Sequence, residues 1–269
     1  MKTALITGRG GLPAALVAAM PARPLIASLD GFTPDGLTPD MGFRLERLVP
    51  FLRALHDQNI THVTFAGAAQ RPRLDPALID PATAELLPAL MAAMAQGDDA
   101  TLRAVIAIFE DEGFTIAGVA DIAPALIPGP GFLAGSATDA DTRDATRAAS
   151  IVAALGTVDV GQGAVVQQGL CLGVEALPGT DAMLRAVAGI PATLRPDPAK
   201  GKGLFYKAPK PGQDRRIDLP TLGPDTIHLV AAAGLGGITW AAGGVICLDP
   251  AAMADLAAEN GLFLWSRAP

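Results

Sequence analysis

Short apolar runs alternate with longer amphipathic segments along the first third of the chain. The runs with the length of buried strands are residues 4–7, 25–29 and 63–66. Between the last two, residues 44–58 place leucines at steps of three and four, on one face of a helix. Strands that alternate with helices in this way predict a parallel, Rossmann-like sheet with right-handed crossovers.

The second half has a different pattern, in which strands are paired locally. A helix is predicted at 139–155, and two β-rich runs at 164–167 and 170–176 are separated by a turn at Gly169. A strand at 204–207 and a last helix, capped by Asp249, follow. We therefore expect an α/β protein: an N-terminal Rossmann-like parallel-sheet domain followed by a C-terminal α+β domain.

The boundary between the two patterns is rich in helix and strand breakers. Residues 124–135 include three prolines and three glycines and few polar groups, which is typical of a loop between domains. We predict an N-terminal domain at 1–130, a linker at 131–136 and a C-terminal catalytic domain at 137–269.

One uncharged segment, residues 229–248, has the length of a membrane span. Glycines interrupt it, so we interpret it as the end of a helix, a short strand, a turn and a second strand. The opening residues lack the long apolar region of a secretory signal. We expect a cytoplasmic protein without a spanning helix.

The net charge and the cysteines argue against some classes of function and site. The net charge is −7 with a pI of about 4.9, which argues against binding to duplex nucleic acid because phosphate neutralisation needs a basic face. The two cysteines have neither disulfide nor zinc spacing.

A glycine-rich loop after the first predicted strand is the first candidate for ligand binding. Gly10, Gly11 and Leu12 precede a helix N-terminus, where free amides can receive a phosphate. Pro13 stands where a dinucleotide fingerprint has its third glycine. The alternative is a tight strand-to-helix turn with no ligand.

Two further candidates lie in the first domain. Arg71 follows the third strand, at the sheet edge where α/β proteins bind ligands, and is either a substrate group or a plain surface arginine. Asp99 begins a helix beside another aspartate. Capping accounts for one carboxylate, and the other is a candidate for a metal or a sugar hydroxyl.

The densest charge cluster lies between residues 206 and 221. Lys207 and Lys210 are candidates for neutralising a diphosphate, and Asp218 for holding a divalent cation or orienting water. A solvated loop is the alternative. Asp218 is the strongest single candidate, because a carboxylate between apolar neighbours is not placed there for solubility.

Several segments together resemble the two-domain UDP-2,3-diacylglucosamine pyrophosphatases of lipid A synthesis, which are unrelated to the calcineurin-like metallophosphoesterases. The matching segments are TGRGGLP at 7–13, FAGAAQRP at 65–72, GDDATLRAVIAIFEDEGF at 97–114, VDVGQGAVVQQG at 158–169, VEALPGTDAMLRAV at 174–187, KAPKPGQDRRIDLPTLGPDTI at 207–227 and AAENGLFL at 257–264. The chain departs from the family pattern at Arg9, within the glycine loop, and at 68–69, where the family has Asn and Val.

The resemblance implies hydrolysis of UDP-2,3-diacylglucosamine to UMP and 2,3-diacylglucosamine 1-phosphate (lipid X), with Mg²⁺ or Mn²⁺. Water attacks the phosphorus next to uridine. The essential aspartate of the family, in a V-D-L-P-T-x-G segment, corresponds to Asp218, which is predicted to be catalytic and a metal ligand. The competing hypothesis is a non-catalytic nucleotide-sugar or lipid-binding protein with the same fold.

The resemblance and the candidate positions together predict a substrate site shared by both halves. Its predicted substrate-binding residues are Gly10, Gly11, Leu12, Arg71, Asp99, Gln162, Gly163, Glu175, Thr180, Asp181, Lys207, Lys210, Arg216 and Thr221. A substrate with two acyl chains implies contact that is at most peripheral, on the inner face of the inner membrane. A homodimer is left open.

Overall fold

The computed structural model describes residues 2–69 and 74–268, without the side chains of Asp98 and Asp99. The chain divides into two compact units after Pro124. Each unit builds its own sheet and its own core.

The first unit is organised around a five-stranded parallel sheet. Its strands are β1 (Thr3–Thr7), β2 (Leu25–Leu29), β3 (Met41–Phe43), β4 (His62–Ala66) and β5 (Thr115–Ile116). They lie in the order β3-β2-β1-β4-β5, and every pairing is parallel. The chain starts in the middle of the sheet and winds outward in both directions, so the predicted Rossmann-like fold is confirmed.

Helices follow β1, β3, β4 and β5, and the sequence predicts those that begin near residues 12, 44 and 98. The helices are α1 (Leu12–Ala19), α2 (Leu48–Asp57), α3 (Pro81–Ala84), α4 (Leu87–Met94), α5 (Asp98–Asp111) and α6 (Val119–Ile122). The helix predicted at 44–58 begins with a 3₁₀ turn at Leu45–Arg47, and α2 then buries Leu48, Leu52 and Leu55. Strand β3 is too short to be recognised from its pattern.

The second unit contains a mixed six-stranded sheet and a small two-stranded one. The strands are β6 (Gly131–Ala134), β7 (Gly163–Gln167), β8 (Leu170–Val174), β9 (Leu204–Lys207), β10 (Thr221–Leu222), β11 (Gly237–Ala241), β12 (Ile246–Cys247) and β13 (Phe263–Arg267). The large sheet has the order β6-β13-β11-β9-β7-β8. Strands β9, β11 and β13 are parallel, and β6, β7 and β8 run antiparallel to their neighbours.

Helices cover both faces of this sheet. They are α7 (Asp139–Gly156), α8 (Gly179–Ala188), α9 (Pro224–Ala232) and α10 (Pro250–Glu259). Alternate residues of β9 face opposite sides of the sheet. Leu204 and Tyr206 pack with α7 on one side, whereas Phe205 packs with the other three helices on the other side. Lys207 follows in the same alternation, so its side chain lies on the side of Phe205.

The range predicted as a linker, 131–136, includes β6. This strand pairs antiparallel with β13, and the rings of Phe132 and Trp265 stack with centroids 5.4 Å apart. The sequence did not predict this strand, because glycines and prolines precede it and its partner β13 lies far away in the chain.

The uncharged segment at 229–248 contains the end of α9 and all of β11 and β12. The interpretation as helix, strand, turn and strand is confirmed. Within the described part of the chain, no helix combines the length and the apolar character that crossing a membrane requires.

Two loops of the first unit cross at the ends of β1 and β4, and glycines make the crossing feasible. Arg9 and Ala68 exchange backbone hydrogen bonds of 2.8 and 2.9 Å. A Cβ on Gly67 would lie 2.7 Å from the carbonyl oxygen of Arg9, and one on Gly8 would lie 2.5 Å from that of Ala68. Any side chain at either position would push the two loops apart.

Replacing Gly67 by Ala should therefore destabilise the first unit more than replacing Gly10. Both residues have nearly the same positive φ, +96° and +95°, but a Cβ on Gly10 would meet nothing within 4 Å. Gly10→Ala should cost about 1–2 kcal/mol, the price of left-handed backbone. Gly67→Ala should cost roughly 1–3 kcal/mol more, from the added clash.

Urea unfolding of both variants, followed by circular dichroism, measures this difference. Equal losses for the two variants would show that the loops separate freely and that the crossing is not a constraint.

Candidate active site at the carboxyl edge of the second sheet

Four of the predicted site residues come together at one edge of the large sheet. Strand β9 ends there with Lys207, β7 begins there with Gly163 directly opposite Lys207, and Glu175 directly follows β8. Gln162 accepts a 3.0 Å hydrogen bond from the backbone of Ala208. The carboxyl edge of parallel strands is where α/β sheets commonly bind ligands, because the loops that follow the strands converge there.

Lys207 lies in a buried polar triad at this edge. Its Nζ is 2.9 Å from Glu175 Oε2 and 2.5 Å from Thr180 Oγ1, and the threonine hydroxyl donates to the same carboxylate at 2.9 Å. The side chains of Lys207 and Glu175 are only 5% and 12% exposed. Charges so far removed from water are tolerated because each is paired and hydrogen-bonded.

Gly161 and Gly163 allow Glu175 to pack closely against the chain at the start of β7. A Cβ on Gly163 would lie 2.7 Å from Glu175 Oε2 and 2.8 Å from the ring of Phe205, and one on Gly161 would lie 2.0 Å from the carbonyl oxygen of Glu175. The backbone of Glu175 also donates to the carbonyl of Gly163 at 2.8 Å. The glycines of the segment 161–163 are thus required for packing against Glu175.

The loop that follows β9 brings Asp218 to the same edge. Gln213 is buried, and its side-chain oxygen accepts hydrogen bonds from Gln162 Nε2 at 2.7 Å and from the backbone N–H of Lys210 at 2.9 Å. Its Nε2 donates to Asp218 Oδ2. The ammonium group of Lys210 pairs with Asp159. Gln162, Lys210 and Asp218 therefore belong to one connected network.

Three predicted residues of the second unit make other contacts. Arg216 forms a bidentate pair with Asp214 within the loop, from Nη2 to Oδ2 at 2.7 Å and from Nε to Oδ1 at 3.0 Å. Asp181 pairs with Arg185 one turn along α8, with both side chains more than half exposed. Thr221 lies in β10, paired with Ile246.

The glycine loop of the first unit joins β1 to α1, as predicted. Gly11 is the N-terminal cap of α1, whose first residue is Leu12, and it has no capping side chain. Arg9, the departure from the family pattern, donates from Nη2 to the carbonyl of Gly31 at 2.9 Å and lies over the ring of Phe32. This arginine thus ties the loop to the turn after β2.

The predicted roles of Arg71 and Asp99 stay predictions. Arg71 lies outside the described residues. Asp99 is the second residue of α5, and its side chain is likewise outside the description.

The donor atoms at Asp218 limit how a divalent cation can be held. Among the side chains that the structure describes, which exclude those of Asp98 and Asp99, no three His, Cys, Asp or Glu residues come together as a metal site. Mg²⁺ is usually bound through one or two carboxylates together with waters and substrate phosphates. Asp218 therefore fits an ion shared with a phosphate, and the donor set does not fit a cage made by the protein alone.

Sequence reasoning missed Gln213 and Asp159. Gln213 is a neutral residue inside a loop dense in charges, and nothing local indicates that it is buried. Asp159 has a positive φ of 56° at the end of the turn after α7. Its partner, Lys210, is 51 residues away, a separation that no motif spacing reveals.

These features define a class: a two-unit α/β protein with a carboxylate and lysine site at the carboxyl edge of its second sheet. The family model described as LpxI N-terminal domain matches residues 2–126, and the one described as LpxI C-terminal domain matches residues 130–265. The chain belongs to the LpxI family, and the resemblance inferred from the sequence segments is confirmed.

A curated protein shows the same relationship. The protein from Caulobacter vibrioides (strain ATCC 19089 / CIP 103742 / CB 15) described as UDP-2,3-diacylglucosamine pyrophosphatase LpxI is 37% identical over 270 residues. The match spans 98% of this chain and 96% of that protein.

The buried triad leads to a stability prediction. Glu175→Ala leaves the Lys207 ammonium buried without its counter-ion and should lower the free energy of unfolding by about 3–5 kcal/mol. Adding Lys207→Met removes the uncompensated charge, so the double variant should be more stable than Glu175→Ala alone.

The exposed pair on α8 supplies the control. Asp181→Ala should change the free energy of unfolding by about 0.5 kcal/mol or less, because water and salt screen an exposed pair. Chemical denaturation of the four proteins tests the comparison. A double variant less stable than Glu175→Ala would mean that the lysine is stabilised by something other than Glu175.

Proposed function

We propose that this protein hydrolyses the diphosphate of UDP-2,3-diacylglucosamine to UMP and 2,3-diacylglucosamine 1-phosphate. The observation that carries the proposal is the position of Asp218. Its carboxylate is held by Gln213, which also accepts a hydrogen bond from the backbone of Lys210 in the loop after β9. Membership of the LpxI family and the 37% identity to the Caulobacter vibrioides pyrophosphatase support the same substrate.

The reaction is a single displacement at phosphorus. The water oxygen forms a bond to the phosphorus next to uridine, and the bond from that phosphorus to the bridging oxygen breaks. The bridging oxygen leaves as part of the sugar phosphate, and the water gives up a proton. The protein has to orient the water, hold the diphosphate and stabilise the charge that builds on the leaving oxygen.

Asp218 is the group proposed to act on the reacting atoms, either by orienting the water or by binding a cation next to the phosphate. Its carboxylate stands in a loop segment tied to the sheet edge through Gln213 and Gln162. A carboxylate held in this way meets the positional demand of an in-line displacement.

The cations at this edge are already balanced by carboxylates. Lys207 pairs with Glu175, and Lys210 pairs with Asp159. These lysines can direct hydrogen bonds to phosphate oxygens, but such pairs bring little net positive charge to a diphosphate. We therefore propose Mg²⁺ or Mn²⁺, bound by Asp218 and the substrate phosphates, as the source of that charge.

Exposed apolar side chains adjoin the polar site and support contact with a lipid. Val158 and Val160 flank Asp159, while Val174 and Leu177 lie close to Glu175 in the chain, and Leu177 is 97% exposed. Diacyl substrates reside in membranes, so an enzyme that takes one up needs an apolar surface near the bound headgroup. We propose that peripheral membrane contact occurs on this side of the second unit.

Hydrolysis in water enriched in heavy oxygen tests the point of attack. With UDP-2,3-diacylglucosamine and Mg²⁺, mass spectrometry should find one heavy oxygen in UMP and none in the sugar phosphate. A chelator should stop UMP release, and added Mg²⁺ or Mn²⁺ should restore it. Heavy oxygen in the sugar phosphate would place the attack on the other phosphorus, and binding without turnover would favour a non-catalytic protein.

Asp218→Ala tests the role of the carboxylate. It should lower kcat by roughly 100-fold or more, because it removes the group that orients the water or holds the cation, with a smaller effect on substrate affinity. Asp225→Ala is the matched control: this exposed aspartate is the second residue of α9, seven positions further on, and its replacement should leave kcat unchanged. Steady-state kinetics measure both, and a near-normal kcat for Asp218→Ala would remove this residue from the mechanism.

A further inference from the structure

We infer that Gln213 is a positioning residue for Asp218, a role that rests on the proposed function. The starting observation is its burial. Gln213 is 8% exposed, although it lies in the loop between β9 and β10, where most neighbouring side chains reach solvent. A buried amide is retained at such a place when both of its ends are hydrogen-bonded.

The contacts fix which way the amide points. The backbone N–H of Lys210 can only donate, so the group 2.9 Å from it must be the amide oxygen of Gln213. The same oxygen lies 2.7 Å from Gln162 Nε2. The NH₂ group therefore faces Asp218 Oδ2, as a neutral donor with a set direction.

This donor connects Asp218 to the sheet. The carboxylate lies in a segment with neither helix nor strand, where the backbone N–H of Asp218 donates to the carbonyl of Asp214 within the same loop. Gln213, in contrast, is bonded to Gln162, directly before β7, and the carbonyl of Gln162 accepts from the backbone of Ala208, directly after β9. The relay Gln162–Gln213–Asp218 transmits the rigidity of the sheet edge to a loop carboxylate.

A neutral donor suits this position better than a cation would. It aligns one carboxylate oxygen without cancelling the negative charge that the proposed cation or water needs. In the same loop, Arg216 donates to both carboxylate oxygens of Asp214, at 3.0 and 2.7 Å.

A merely structural role for Gln213 makes different predictions. If the amide only fills and stabilises the loop, its loss should lower thermal stability and impair activity by the same factor whether or not Asp218 is present. If it positions Asp218, its loss should lower kcat only while the carboxylate is there.

The experiment is a double-mutant cycle on the full chain with UDP-2,3-diacylglucosamine and Mg²⁺. Gln213→Met keeps the length and volume of the side chain but removes the donor. It should lower kcat by roughly 10- to 100-fold while KM changes by about threefold or less, because misplacement of a catalytic group by a fraction of an ångström acts on the chemical step. In the Asp218→Ala background, Gln213→Met should cause no further loss of kcat.

Gln167→Met is the matched control. Gln167 is also buried and also bonded at both ends of its amide, to Arg195 and to the carbonyls of Pro196 and Gly201, but it lies at the opposite end of β7. Its replacement should lower the melting temperature and leave kcat unchanged. Equal kcat losses for the two glutamine variants, or equal losses with and without Asp218, would overturn the positioning role.

A measurement independent of turnover tests the contact itself. In protein labelled with ¹⁵N at glutamine side chains, the NH₂ resonances of Gln213 should shift on Asp218→Ala, whereas those of Gln167 should stay in place. The shift can be measured even if the wild-type protein releases no UMP. A lack of UMP release would reject the proposed function but not this contact. Unchanged Gln213 resonances would reject the inference, whatever the activity.

Discussion

The close packing of Glu175 against the first residues of β7 is the constraint on which the candidate site depends. Without a Cβ, Gly163 leaves room for the carboxylate of Glu175 beside the ring of Phe205. The carboxylate then reaches Lys207, directly across the sheet from Gly163. A larger residue at 163 would displace the carboxylate and leave a lysine buried without its counter-ion.

The polar groups at this edge of the sheet differ in exposure. Lys207 and Glu175 are nearly inaccessible, Gln213 is buried at the base of the loop, and Asp218 and Lys210 are partly exposed. The buried groups are held by several hydrogen bonds each, and the proposed function places the substrate against the partly exposed ones. A rigid base with accessible groups above it is the arrangement that precise positioning of a substrate requires.

In the first unit, too, glycines without a Cβ allow close packing, here between two loops. Its glycines allow two loops to cross at the carboxyl edge of the parallel sheet, with Gly67 packed against the backbone of Arg9. The side chain of Arg9 extends from the glycine loop to the carbonyl of Gly31 and the ring of Phe32. A long side chain in this glycine loop is compatible with the fold because it points along the surface to the next turn.

The sequence alone determined the type and position of most helices and strands, together with the family. Runs such as 25–29 and 204–207 coincide with β2 and β9, because apolar periodicity and flanking glycines act locally. It also indicated Asp218, an aspartate between apolar residues in a family motif. Strand β3 was not predicted because it has only three residues, and β6 was not predicted because it follows glycines and prolines and pairs with the distant β13.

Only the tertiary structure decided which polar groups meet. Lys207 and Glu175 are 32 positions apart in the sequence, and Lys210 and Asp159 are 51 apart, so no local spacing encodes these pairs. The role inferred for Gln213 likewise follows from burial and from the donor that faces its oxygen. Local patterns state what a segment can form, whereas the partner of a buried charge depends on which strands the folded chain places side by side.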